Sequence, residues 1–207
     1  MSARSSARSF SLRAVALYVL LISAICFAQE RMFPRGYLDT ASDVDIFKNR
    51  WYSGNLKALQ EPALYPMAKD KSVECYRFLW LRSFNHPISV RIYRQGKDHQ
   101  WILKLKIAGG AAGFHPHSLM EEETMHLRDA NVQGFLSQIE SLGFWKAPNP
   151  INDQTGTDGS QWIIEGVKGG NYHIVDRWSP KSGIARELGW QLVFDLGGLE
   201  VPKQEIY

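Results

Sequence analysis

ECYRFLWLRSFNHPISVRIYRQGKDHQWILKLKIA, residues 74–108, holds three strand-length runs and the two breaks that separate them. Glu74 to Phe84, Ile88 to Arg94 and Trp101 to Ala108 are rich in aromatic and branched side chains. Asn85-His86-Pro87 and Gln95-Gly96-Lys97-Asp98 carry turn chemistry. Short strands joined by short turns predict an antiparallel meander. In the third run Trp101, Leu103, Leu105 and Ile107 alternate with Ile102, Lys104 and Lys106, and a period of two sends the two sets to opposite faces. One face is expected to be core and the other largely wet. On the wet face Arg91, Lys104 and Lys106 beside Tyr93 form a candidate anion-attracting rim; a plain solvated face explains them equally well.

Working outward, Ser42 followed three residues later by Asp45 suggests a capping box, and Val44, Phe47, Trp51 and Leu59 recur near helical spacing. A helix is expected from Asp43 to Leu59, preceded by an extended arm over 29–41 and followed by a loop from Leu64 to Ser72. Gly109-Gly110-Ala111-Ala112-Gly113 reads as a flexible turn, because no helix N-terminus follows to make it a phosphate cradle. Leu119 to Leu127 is a fourth strand candidate. Asp129 is the expected N-cap of a helix whose stripe is Val132, Phe135, Leu136, Ile139 and Leu142, ended by Gly143. After a polar loop from Pro148 to Gly159, Gln161 to Val167 and Tyr172 to Trp178 form a hairpin around Lys168-Gly169-Gly170-Asn171. A last helix runs from Ile184 to Leu196. The order predicts an α+β fold, a mostly antiparallel sheet of five or six strands packed by about three helices.

The hairpin carries Glu165, His173, Asp176 and Arg177, and their relation depends on register. With Val167 opposite Tyr172, Glu165 shares a side with Asp176 and is parted from His173 and Arg177. With Lys168 opposite Tyr172, Glu165, His173 and Arg177 become an acid/base cluster suited to a small hydrolase or transferase. A structural ion pair is the competing explanation. His115, His117 and His126 with Glu121 to Glu123 are the densest metal-type side chains, but Pro116 splits the first pair and the spacing matches no zinc motif. They read as a surface loop and a charged strand edge, and no cofactor is called for. Seven tryptophans are present; most are expected in the core, while exposed ones, with Trp162, Trp178 and Asp176 as candidates, would make a platform for a sugar ring or a partner protein.

The N-terminus sets the address. Arg4, Arg8 and Arg13 precede an uncharged run from Ala14 to Ala28, the pattern of a secretory leader. Fifteen residues of helix reach about 22 Å, short of the roughly 30 Å of a bilayer core, so cleavage after Ala28 is expected rather than a stable span. Lipidation at Cys26 is the lesser alternative, since bulky Ile25 precedes it. Removing 28 of 207 residues leaves 179, a suitable size for one domain over 29–207. It also removes three of the 24 Lys+Arg and no acid, leaving 21 against 21 Asp+Glu. The remainder is neutral, and the compositional argument for a nucleic-acid partner disappears. Cys75 is then the lone thiol, expected to be buried and inert.

DGSQWIIEGVKGGNYHIVDRWSP (158–180) and YRFLWLRSFNHPISVRI (76–92) together resemble a group of small exported bacterial proteins without a settled activity. The resemblance implies a bacterial envelope location and carries over no catalytic residue. The expected function is a periplasmic or secreted binding domain for a protein or an envelope component. A hairpin-based enzyme and an inhibitor or immunity-type protein are the alternatives.

Overall fold

The computed structural model describes residues 31–96, 99–149, 156 and 158–207. Residues 1–30, on which the expected leader falls, Lys97-Asp98, residues 150–155 and Thr157 lie outside them. Residues from Arg31 to Tyr207 form one unit, an α+β fold built on a six-stranded, wholly antiparallel sheet.

In chain order the elements are α1 (Ser42–Ala58), a 3₁₀ turn (Tyr65–Lys69), β1 (Val73–Arg82), β2 (Ile88–Gln95), β3 (Trp101–Ala108) and β4 (Leu119–Leu127). There follow α2 (Asp129–Ser141), β5 (Ser160–Lys168), β6 (Asn171–Trp178) and α3 (Ile184–Trp190), which widens into a π-helical turn (Gln191–Leu196). The sheet order is β4-β3-β2-β1-β5-β6. The meander expected from residues 74–108 is therefore half of the sheet, and the hairpin is attached along β1.

Both faces of the sheet are covered. On one, Phe135 and Ile139 of α2 and Leu188 and Leu192 of the C-terminal helix pack on Tyr76, Phe78, Trp80, Trp162 and Ile164. Gly189 allows this approach, because a Cβ there would stand 2.8 Å from Trp162 and 2.9 Å from Phe78. On the other face, Tyr52 and Leu56 of α1 and Leu59 just beyond it meet Leu79, Leu81, Ile163 and Ile174. Glu74 to Arg82 and Ser160 to Val167 are buried without interruption. Two covered faces bury the polar and charged members of these strands, Arg77 and Glu165 among them, along with the apolar ones.

Several local expectations are corrected. The 31–41 segment is no free arm: Met32, Phe33 and Leu38 are buried against α1, and Asn49 Nδ2 donates to the Phe33 carbonyl at 3.0 Å. The Ser42/Asp45 capping box does not form, for the cap position is Ala41. Asp45 instead accepts the Leu38 N–H at 3.1 Å, tying down that segment. Asp129 lies inside the first turn of α2 and Arg128 is the cap residue. The face of β2 and β3 expected to be wet is largely covered, with Arg91 and Lys106 both buried.

Candidate functional site

The hairpin register decides the first constellation. Val167 pairs with Tyr172 and Glu165 with Ile174, the arrangement that parts Glu165 from His173 and Arg177. Gly169 and Gly170, at φ +59° and +90°, make a two-residue turn that holds this register. Glu165 lies under the α1 face. Arg77 Nε donates to its Oε2 at 2.8 Å, Arg77 Nη2 donates to the same oxygen, and Tyr172 O–H donates to Oε1 at 2.9 Å. Burial pushes its carboxyl upward against the pull of Arg77 and Tyr172. On the opposite face His173 rests edge-on against Phe144, ring centroids 5.1 Å apart, and burial pulls its imidazole below the ordinary value. Arg177 donates to the Pro148 carbonyl at 2.7 Å and to Asn149 Oδ1 at 3.2 Å. The acid/base cluster is not assembled.

The candidate anion rim is corrected as well. Glu165, Arg77, Arg91 and Lys104 stand side by side across β5, β1, β2 and β3. Three adjacent cations repel unless anions cover them. Glu61, from the chain just beyond α1, supplies that cover: its Oε2 lies 2.7 Å from Arg91 Nε and 3.6 Å from Arg77 Nη1, and its Oε1 lies 3.3 Å from Lys106 Nζ. Gln60, in the left-handed region at φ +53°, turns the chain onto the sheet and accepts Lys106 Nζ at 2.8 Å. Lys104 is taken by Glu122 at 2.7 Å, and Tyr93 lies beneath the Arg91 guanidinium. These charges are spent on one another. Desolvation opposes the charge on Arg77, yet Glu165 and Glu61 outweigh it and hold the guanidinium above its ordinary value. Cys75, beside this network, is buried and its thiol is pushed up to about 12, chiefly by desolvation.

The metal candidates are dispersed. His115 and His117 are exposed on the 109–118 loop, whereas His126 sits opposite Ile102 near the far end of edge strand β4. The seven residue steps from Leu119 to His126 span roughly 23 Å of strand. Among the described residues no group of three His, Cys, Asp or Glu side chains could hold a metal ion.

What the structure does assemble is a groove of about 740 Å³ at one end of the sheet, between α1 and the 109–118 loop. Val44, Phe47 and Trp51 line it from α1, one turn apart as helical spacing requires. Phe114 and Pro116 line it from the loop, and Trp178 closes it from the end of β6. The glycine-rich segment is a pinned loop rather than a flexible turn. Trp51 Nε1 and Asn55 Nδ2 donate to the Ala112 carbonyl at 2.6 and 3.3 Å, and the Ala112 N–H donates to the Asn85 carbonyl at 3.0 Å. A Cβ on Gly113 would lie 2.8 Å from the Ser83 carbonyl oxygen, so only glycine lets the two loops touch. Phe47 and Phe114 are 64% and 67% exposed, and covering side chains of this size is worth about 2 kcal/mol each.

Behind the groove lies a polar cluster. Lys48 Nζ and Tyr52 O–H, one turn apart on α1, donate to Asp176 Oδ2 at 3.2 and 3.0 Å. Burial raises the Asp176 carboxyl against the attraction of Lys48. Gln161 completes the cluster in the amide orientation that donates to Asp176 Oδ1 at 2.9 Å and to the Arg177 carbonyl at 3.1 Å. Two of the sequence candidates, Asp176 and Trp178, thus belong to the groove end of the molecule, while Trp162 is wholly buried in the opposite core. Phe47 and Phe114 are marked by their exposure, which periodicity cannot show, and Trp51 by its place between them in the groove wall. No family model matches the chain, and no curated protein matches its sequence.

Proposed function

We propose that this protein is an exported, non-catalytic binding domain whose ligand seats in the groove between α1 and the 109–118 loop. The observation that carries this reading is the aromatic groove itself, with Phe47, Trp51, Phe114 and Trp178 converging on one concavity. Converging apolar surface beside a few fixed polar groups is the usual form of a ligand site. The leader pattern and the resemblance to small exported bacterial proteins support the location. The hydrolase or transferase alternative has no geometry in its favour, since its three side chains lie on two faces of the sheet.

Expression of the full chain in a bacterial host, followed by isolation from the periplasm, tests both parts. The isolated protein is expected to begin at Gln29. Its native mass spectrum is expected to carry a small-molecule adduct that Phe114→Asp loses while keeping a native circular-dichroism spectrum. Retention of residues 1–28 with the chain in the cytoplasm overturns the location. Identical adduct patterns in the two proteins, or no adduct in either, overturn the groove as the ligand site.

A further inference from the structure

Resting on that reading, we propose that the groove takes a small amphiphilic anion: an apolar body carrying one carboxylate, which Arg50 meets at the mouth. The described lining is mainly Val44, Phe47, Trp51, Phe114 and Trp178, so it matches a hydrocarbon or aromatic body. Its charged and titratable members are Lys48, Arg50 and His115, and no Asp or Glu is among the described lining residues.

Those basic groups are not equivalent. Lys48 is held between Asp176 at 3.2 Å and Asp39 at 3.8 Å, two carboxylates that more than offset its charge, so it offers nothing to an anion. Arg50 is exposed and makes no ion pair with any described residue. A guanidinium matches a carboxylate through two parallel hydrogen bonds, and beside a low-dielectric wall that pairing is stronger than in open water. A cationic ligand would find no carboxylate among the described lining residues. A sugar would need several free donors and acceptors, whereas Gln161 and Tyr52 are engaged with Asp176, and Asn55 Oδ1 is the one buried acceptor without a partner among the described lining residues. The groove's volume falls within the range of pockets that hold drug-sized molecules.

The test is isothermal titration of the purified protein with decanoate, decanol and decyltrimethylammonium, each below its aggregation concentration. Decanoate is expected to bind about tenfold more tightly than decyltrimethylammonium. Arg50→Gln, an exposed change that leaves the core alone, is expected to weaken decanoate about fivefold and leave decanol unchanged. Phe114→Ala is expected to weaken all three. Equal affinity for the anion and the cation, or indifference of decanoate to Arg50→Gln, with binding still lost in Phe114→Ala, overturns the anion preference and leaves the groove as a binding site. Failure of all three probes to bind, or binding untouched by Phe114→Ala, overturns both.

Discussion

Glu61 is the residue on which the charged half of the sheet depends. It faces Arg77, Arg91 and Lys106 from a loop, and its own side chain is wholly enclosed. Glu61→Gln keeps the shape and removes the charge, leaving three buried cations with Glu165 as their main remaining counter-ion. Removing one partner of a buried ion cluster typically costs about 3–5 kcal/mol, and urea unfolding should show a loss of that size with an unchanged slope. His173 is the residue-scale source of pH dependence. Its imidazole titrates below the ordinary 6.5 because burial beside Phe144 and Trp145 disfavours the charged form. As pH falls the unfolded chain takes up the proton first. The stability that neutral His173 provides is therefore complete above 6.5 and is lost as pH drops through that value toward the folded pKa. Melting curves from about pH 8 to about pH 5 should decline less steeply for His173→Leu than for the native chain.

At the scale of elements, α1 and the 109–118 loop act as one clamp, held where Trp51 and Asn55 grip the Ala112 carbonyl. Trp51→Phe retains the ring and deletes the donor, so about 1 kcal/mol of local stability should go. Amide exchange should quicken over residues 109–118 while α2 is unaffected. If that segment exchanges at the native rate, the hydrogen bond is not what holds the clamp. The elements themselves were legible: alternation in Trp101 to Ile107 and turn residues such as Gly169-Gly170 report short-range geometry, and each strand lies within about two residues of its expected place. Which of two hairpin registers forms was not, because both are compatible with the same alternation. The cover over Arg91 and Lys106 was equally hidden. Basic side chains on one strand face look alike whether water or Glu61 meets them, and Glu61 arrives from a loop 30 and 45 residues distant in sequence from Arg91 and Lys106.

Across the whole molecule, the sheet is covered on both faces among the described residues, and the most exposed aromatic side chains that converge, Phe47 and Phe114, do so in the groove at one end instead of on the platform expected from the tryptophan count. The charged β4 edge, with Glu121, Glu122 and Glu123 exposed, discourages edge-to-edge pairing of copies. Among the described residues no helix is long and apolar enough to cross a membrane. Cys75 offers a clock for this architecture. Enclosed near the middle of the sheet, its thiol reacts with an alkylating reagent only when the fold opens, so the labelling rate counts openings. It does not line the groove. A compound seated there on the folded state alone would slow the clock in proportion to its occupancy, and the chain's own sulfur would then time the residence of a molecule it never touches.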